Sequence, residues 1–468
     1  MSHTQIQFLG ATGTVTGSKT ALFVGTALED RILIDCGLFQ GLKENRQKNW
    51  NLLPVEPQSL GGVVITHAHI DHCGYLPRLV QDGFSHPIYC TSATAELMAI
   101  SLRDAAHLQE EEARYANKEG FSKHTPALPL FSTEDVDMTL ELVRQVKSSE
   151  TLTIGKNLTV RFLNSGHILG STSLQITSKA GEKPVTVVFS GDLGRFGFPI
   201  LPNPEPPSSA DYLVLESTYG DRIHRNTDPA ADLAEALRKN FALGGVTLIP
   251  AFSIGRTQLI LFYLRQLQDD GALDDVPIYL DSPMAIKVME THRRFTGSLD
   301  DEMNYMIRSG INPLAPKSFR AIQSREESMA LNSINGNAII ISASGMATGG
   351  RILHHLKHRV GSARNSVLFI GYQAEGTRGR AMLNGADSIK IHGSHHPVRC
   401  NVQQIDGLSA HADREEMLTW LRQFPSPPKH VYLNHGEPDA CRAFSEYITG
   451  QTGILTSVPS YLESYTLE

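Results

Sequence analysis

At 468 residues the chain is longer than one hydrophobic core ordinarily supports, so two domains are expected. Apolar side chains at 41% and charged ones at 19% make an ordinary globular balance, and a net charge of −7 excludes a surface coated in basic residues for nucleic acid, though not a local basic groove. The five cysteines, Cys36, Cys73, Cys90, Cys400 and Cys441, form no CxxC pair, which fits a reducing cytoplasm and speaks against a disulfide frame or a thiolate zinc site. No basic segment followed by an apolar one opens the chain, and no run of about 18 apolar residues occurs; the expectation is a cytoplasmic protein with no leader and no membrane span.

The first 200 residues read as β-rich. Short β-branched runs that end in Gly, Asp, Asn or His predict strands at Gln5–Leu9, Arg31–Ile34, Gly62–Thr66, Leu158–Leu163, Ser173–Ile176 and Val185–Phe189. Between them, Ser92 to Gly120 is rich in helix formers and predicts a helix. The proline-rich stretch Phe198 to Pro207 can be neither regular helix nor central strand. A strand resumes at Tyr212–Leu215. From Asp221 to Asn384 helix and strand alternate: helices at 229–243, 257–268 and 351–358, strands at 246–250, 278–280, 338–342 and 366–371, the pattern of an α/β domain with a parallel sheet. The tail returns to the opening style, with strands at 388–392, 401–405 and 431–434 and a helix at 414–423.

The strongest chemical signal is Gly62-Val-Val-Ile-Thr-His67-Ala-His69-Ile-Asp71-His72-Cys-Gly. An apolar strand ends and four ligand-type side chains follow at once. Imidazole and carboxylate suit zinc, and a catalytic ion needs protein ligands with one position left for water. A lone histidine in a polar loop is more often hydrogen-bonded than metal-bound; a tetrad directly after an apolar strand weighs the other way. Six further groups lie at or just beyond predicted strand ends: Asp35, His167, Asp192, Glu216, His411 and His435. Strand ends are where open α/β sheets build their sites.

HxHxDH followed by His167 and Asp192 resembles the metallo-β-lactamase fold, an αββα sandwich. Glu216-Ser-Thr-Tyr-Gly, Ser-Ala-His411-Ala-Asp and His435-Gly-Glu resemble the three added motifs of its β-CASP branch, which processes nucleic acids. Pro250-Ala-Phe-Ser-Ile-Gly-Arg256, Asp281-Ser-Pro-Met284, Ser342-Ala-Ser-Gly-Met346 and Gly371-Tyr-Gln-Ala-Glu-Gly-Thr377 are similar to that branch as well, so the likeness spans nearly the whole chain. It implies a metallo-β-lactamase domain over residues 1–220, an inserted parallel-sheet β-CASP cap over 221–384, and a returning part of the first domain over 385–468, with the active site in the cleft between domains.

Residue by residue, the resemblance implies that His67, His69 and His167 hold a first zinc, Asp71, His72 and His435 a second, and that Asp192 bridges them. Asp35 is expected to orient ligands. His411 is expected to protonate the leaving oxygen, and Glu216 to hold His411 charged and aimed. Manganese or iron is compatible with the same ligands. The implied activity is hydrolysis of phosphodiester bonds in single-stranded RNA, the histidine at 435 favouring RNA over DNA. The rival readings are a small-molecule hydrolase of thioester or lactam type, disfavoured by Glu216, His411 and the large insert, and a non-catalytic RNA-processing subunit, disfavoured because every ligand position is filled. A homodimer or a processing complex is compatible with the family. With motifs starting near residue 10 and about thirty residues after His435, no appended RNA-binding domain is expected.

Two weaker features complete the reading. Ser344, Gly345 and Met346 lie between a predicted strand and helix, where exposed backbone N–H groups suit a phosphate, although a plain helix-start loop looks the same. Six basic residues against one acid between Arg351 and Arg380 make a local positive bias or a solvated helix face. Gly13-Thr-Val-Thr-Gly17-Ser-Lys19-Thr is one residue out of register for a phosphate loop and is read as a turn between the first two strands. His395 and His396 are taken as structural, and His354, His355 and His358 as surface residues of one helix.

Overall fold

The computed structural model describes residues 3–120, 124–148, 150–224 and 228–468. The chain divides into two compact units, Met1–Ile223 with His411–Glu468, and His224–Ala410.

The first unit is built on two seven-stranded sheets. One has the order Ser464–Leu467, Thr4–Phe8, Thr20–Val24, Arg31–Ile34, Gly62–Val64, Ile88–Thr91, Val143–Val146; it is antiparallel as far as Arg31–Ile34 and parallel beyond. The other runs Leu455–Ser457, His430–Asn434, Tyr212–Glu216, Val185–Phe189, Thr172–Ser178, Leu158–Asn164, Thr151–Ile154; its first four strands are parallel to one another. The alternation of each strand puts one set of side chains between the sheets. Ile6, Phe8, Leu22, Ile32 and Val64 of the first sheet meet Val160, Phe162, Leu174, Val187 and Val214 of the second in one core. The neighbouring positions of the second sheet, Val188, Leu213, Leu215 and Leu433, face outward and bury Trp420, Phe444 and Ile448 of helices Arg414–Leu421 and Pro438–Thr452. Each such side chain contributes about 1.5–3 kcal/mol when fully buried. This is a metallo-β-lactamase sandwich, two sheets with helices outside them.

Several elements went beyond the sequence reading. Thr20–Val24, Ile88–Thr91, Val143–Val146, Thr151–Ile154, Leu455–Ser457 and Ser464–Leu467 are strands too. The helix expected from Ser92 to Gly120 is observed at Ser92–Glu119; the Thr91 side chain accepts from Thr94 N at its start, and Gly120, with φ 68°, ends it. The segment with prolines from 198 to 207 forms neither helix nor strand.

The second unit holds a six-stranded, all-parallel sheet in the order Phe319–Ala321, Ile278–Leu280, Ala338–Ser342, Val246–Pro250, Ser366–Ile370, Asn401–Ile405. Its central strands are buried throughout, as the near-continuous apolar runs demand. Where the sequence reading ends the insert at Asn384, this unit extends to Ala410, and its last strand pairs with Ser366–Ile370. One expectation is corrected here: His355 does not lie on the surface. It is buried, and its Nε2 donates to Asp281 Oδ2 at 2.7 Å, because a carboxylate inside the unit needs donors. Among the described residues no helix is long and apolar enough to cross a membrane.

Candidate metal centre

All the ligand-type residues singled out from the sequence lie in the first unit, and the structure brings them together. The strand Gly62–Val64 leads through Ile65 and Thr66 to His67. His69 precedes the short helix Ile70–Cys73, which carries Asp71 and His72. His167 follows Leu158–Asn164, Asp192 follows Val185–Phe189, and His435 follows His430–Asn434. Each is thus delivered by a strand whose buried residues fix its end.

Two groups result. In the first, His69 Nδ1 lies 3.2 Å from His67 Nε2 and 3.2 Å from His167 Nε2, while Asp192 Oδ2 is 3.4 Å from His67 Nε2 and 3.6 Å from His167 Nε2. In the second, His72 Nε2 is 3.3 Å from His435 Nε2, and Asp71 Oδ2 is 3.5 Å from His435 Nε2. Asp192 reaches this group with its other oxygen, Oδ1 lying 3.3 Å from both His72 Nε2 and His435 Nδ1. Nitrogen and oxygen ligands about 2.0–2.2 Å from a tetrahedral ion stand about 3.3–3.6 Å from one another, so the spacings in the first group, and those of His72 and Asp71 to His435 Nε2 in the second, fit such an ion. Asp192 Oδ1 is buried and accepts no hydrogen bond, which a charged oxygen tolerates when a cation faces it. The chain therefore carries a metal-binding site.

The outer ring nitrogens of His72, His67 and His435 have partners. Asp35 Oδ2 accepts from His72 Nδ1 at 2.7 Å, which leaves Nε2 to face the group. Asp35 Oδ1 accepts from Thr66 N at 2.8 Å, and the Thr66 hydroxyl lies 3.0 Å from His67 Nδ1. Sequence reasoning missed Thr66; its place directly before His67 was the available signal. Thr218, two residues after Glu216, was missed in the same way and lies 3.4 Å from His435 Nδ1. Asp35 and His435 have φ of 57° and 52°, a left-handed backbone that costs roughly 1–2 kcal/mol. Backbone bonds hold both there: Asp35 N donates to Val64 O, and His435 N to Ala11 O, each at 2.9 Å.

Charge divides the two groups. Burial depresses His67, His69 and His167, His69 to about 3, so these imidazoles are neutral and offer lone pairs. Burial works the same way on His72 and His435, but Asp192 with Asp35 or Asp71 outweighs it and raises both. In return those imidazoles hold Asp71 and Asp192 ionised against the burial that opposes it.

Beside the two groups stands His411. Its Nδ1 lies 3.3 and 3.2 Å from the two oxygens of Glu216 and 4.0 Å from Asp192 Oδ2, and its ring packs 4.5 Å from that of His167. Glu216 Oε1 also accepts from Leu193 N at 2.6 Å, fixing the carboxylate.

Ser344, Gly345 and Met346 belong to the second unit. Their loop spends N–H groups on itself: Ser344 N donates to Gly349 O, Thr348 N and Gly349 N to Ser344 Oγ, and Ile352 N to Ala343 O. The basic run nearby is largely engaged within the protein. Arg351 pairs with Asp281, Arg359 donates to Leu331 O, Arg378 to the carbonyls of Lys390, Ala347 and Thr348, and Arg380 to Glu375. The Gly13 to Lys19 segment lies between the strands Thr4–Phe8 and Thr20–Val24, the second of which the sequence reading lacked, and Lys19 donates to Gly37 O.

A sandwich of two mixed sheets, carrying five imidazoles and two aspartates in two groups at its strand ends, defines a metal-dependent hydrolase. Family comparisons agree along the chain. Residues 27–189 match a metallo-β-lactamase superfamily domain, 257–382 a β-CASP domain, and 395–459 a Zn-dependent metallo-hydrolase RNA specificity domain. Ribonuclease TTHA0252 of Thermus thermophilus is 36% identical over 440 residues, covering 94% of each chain. An RNase J-like protein of Methanocaldococcus jannaschii is 32% identical, covering 92% of each, and transcription termination factor FttA of the same organism is 29% identical, covering 98% of this chain and 71% of that one. A solved structure of a protein of unknown function from Enterococcus faecalis shares the fold, with a TM-score of 0.54 at 13% identity, covering 99% of this chain and 100% of that one. The chain belongs to the β-CASP branch of the metallo-β-lactamase superfamily.

Proposed function

We propose that this protein is a ribonuclease that hydrolyses phosphodiester bonds of single-stranded RNA at a pair of zinc ions. The observation that carries the proposal is the pair formed by His411 and Glu216 beside the two ligand groups. A thiolate leaves a thioester without help, whereas the ribose oxygen of a phosphodiester leaves as an alkoxide and needs a proton. An imidazole held by a carboxylate next to the metal groups is suited to that task. The relatives, one named a ribonuclease and one RNase J-like, support RNA as the substrate.

His67, His69 and His167 would hold one ion, Asp71, His72 and His435 the other, with Asp192 shared between them. Bound there, the ions supply Lewis acidity and a nucleophile of hydroxide strength near neutral pH. Asp35 aims His72 directly and His67 through Thr66. Glu216 holds His411 by Nδ1, and we assign proton delivery to Nε2, the nitrogen turned from that carboxylate. We read residues 1–223 with 411–468 as the catalytic domain and 224–410 as the inserted β-CASP domain, with Ser344, Gly345 and Met346 as contacts for a substrate phosphate. A reducing cytoplasm suits the five cysteines, all unpaired and buried.

The test is cleavage of an end-labelled single-stranded RNA and its DNA counterpart by zinc-loaded protein, with His411→Ala beside it. The expected result is RNA cut and DNA spared, and a variant slower by about 10²–10⁴-fold that retains its zinc. Zinc lost from the variant would make His411 a ligand rather than the acid. Two zincs bound and neither polymer cut would overturn the ribonuclease reading in favour of a small-molecule hydrolase or a non-catalytic subunit.

A further inference from the structure

The chain contains two tryptophans, and they have opposite surroundings. Trp420 is fully buried, whereas Trp50 is 55% exposed. Trp50 lies two residues beyond a short helix, Lys43–Lys48, in which no residue is buried. The helix carries Lys43, Arg46 and Lys48 against the single acid Glu44, a positive segment in a chain of net charge −7. A helix without a buried face needs another anchor. Here it is Asn49, buried, which accepts from Phe39 N at 2.9 Å and donates to Phe39 O at 2.8 Å. Beyond Trp50, Tyr75 donates to Asn51 O at 2.9 Å. The segment is thus held in place even though its side chains lie open to solvent.

A second strip of chain reaches the same surface. Lys48 Nζ lies 5.1 Å over the Phe39 ring and 5.8 Å from the centre of the Tyr461 ring, and Tyr461 is 45% exposed. Leu52 and Leu462, close in sequence to Trp50 and Tyr461, are exposed as well. The nearest acid on that strip, Glu463, is occupied by Ser460 N and the Tyr465 hydroxyl. The segment starts at the metal centre. Leu38 N donates to Ile70 O at 2.9 Å, next to Asp71.

We propose that Trp50 and Tyr461, with Lys43, Arg46 and Lys48, form a docking platform for single-stranded RNA on the first unit. Flat exposed rings interleaved with cations are what a single strand uses: bases stack on the rings, and phosphates meet the ammonium and guanidinium groups. A protein partner would favour the rings but gain little from three cations around them. The inference rests on the ribonuclease reading and deepens it, assigning a place where substrate is held outside the ligand groups.

The experiment titrates metal-loaded full-length protein with a phosphorothioate-linked single-stranded RNA, which resists cleavage, and follows tryptophan emission. Trp50→Phe, Trp50→Ala and a Lys43→Gln/Arg46→Gln/Lys48→Gln variant are run in parallel. All these side chains are exposed, so folding is expected to survive, and retained zinc content checks it. In the parent the emission is quenched on binding. Trp50→Phe loses the quench but keeps most of the affinity, because a ring remains; Trp50→Ala weakens binding about tenfold. The triple variant lowers the slope of log affinity against log salt by about 2, at roughly 0.7 for each phosphate no longer neutralised. A parent that cuts RNA while Trp50→Ala binds it unchanged, without quench in the parent, overturns the platform and leaves the ribonuclease reading standing. Parent dimerisation abolished by Trp50→Ala with RNA affinity unaffected overturns it in favour of a second copy of the chain. A parent that neither binds nor cuts RNA overturns the ribonuclease reading itself, and the platform with it.

Discussion

Asp192 in the first unit and Asp281 in the second are built from the same parts and do opposite things. Each is buried just beyond a strand of a parallel run, and each gathers imidazole. Asp281 is saturated: Arg351 donates to Oδ1 at 2.7 Å, and His355 and Ser328 donate to Oδ2 at 2.7 and 2.6 Å. Asp192 is surrounded instead by nitrogens at 3.3–3.6 Å, and its Oδ1 accepts no hydrogen bond. In one cluster donors converge on acceptors and the charge is closed within the protein. In the other, ring nitrogens and carboxylate oxygens converge in two groups and the Asp192 charge is not closed by hydrogen bonds to Oδ1. The arrangement of donors, more than residue type, separates a carboxylate closed within the protein from one placed to face a cation.

The sharpest way to break this contrast is to remove each carboxylate in turn. Asp192→Ala takes an oxygen from both ligand groups. We expect zinc content to fall below two per chain, read by elemental analysis, and RNA hydrolysis to drop on the order of a thousandfold or more, since metal stabilisation of the transition state is worth several kcal/mol. Full zinc occupancy in this variant would mean that Asp192 does not bridge.

Asp281→Ala should do the reverse, with zinc content unchanged and stability lost. Breaking a buried pair leaves His355 and Arg351 without their acceptor, at a cost of about 3 kcal/mol; the low end applies because Arg351 reaches solvent. Urea unfolding of parent and variant reads the difference. Its pH dependence has a definite sign. Burial opposes the Asp281 charge, but His355, Ser328 and Arg351 outweigh it and lower its pKa from 3.8. The folded state thus binds the proton less readily than the unfolded chain. The stabilisation is complete above the ordinary carboxylate range and is lost as pH falls through the lowered value, so the gap between parent and variant should close in acid.

The same contrast shows what could be read in the sequence. The clustering was legible because its signal is local: apolar strands that stop just before His67, Asp192 or His435 mark ligand-type side chains, and the structure gathers these into two groups. Closure of the Asp281 cluster was not. Asp281 and His355 are 74 residues apart, and nothing in the helical spacing of His354, His355 and His358 says which of them faces inward. The missed strands have a similar cause. Ser464–Leu467 is a strand because it pairs with Thr4–Phe8, and Val143–Val146 because it extends a sheet begun elsewhere; both are half-exposed edges with a weak pattern of their own. Thr66 and Thr218 were missed for another reason, their residue type saying nothing and their place beside His67 and Glu216 being the one signal. A threonine becomes part of a site only through the hydrogen bond it makes, and residue type alone predicts none.

The smallest of these effects tests how the ligands are aimed. Asp35 touches His72 directly and His67 only through Thr66, so the two groups should feel its loss unequally. Asp35→Asn is suited to the question. Asparagine tolerates the φ of 57° at this position, which keeps the backbone out of the comparison, and it removes the charge and exchanges one acceptor oxygen for an amide donor. Losing a partner that orients a metal-bound histidine lowers affinity about ten- to hundredfold. Titration of the zinc-loaded variant with a chelator should therefore release one ion earlier than in the parent, with the other shifted less. Two ions released together and equally early would show that Asp35 orders the whole loop from Thr66 to His72. The division of labour between the two groups would then lie in Asp192 alone.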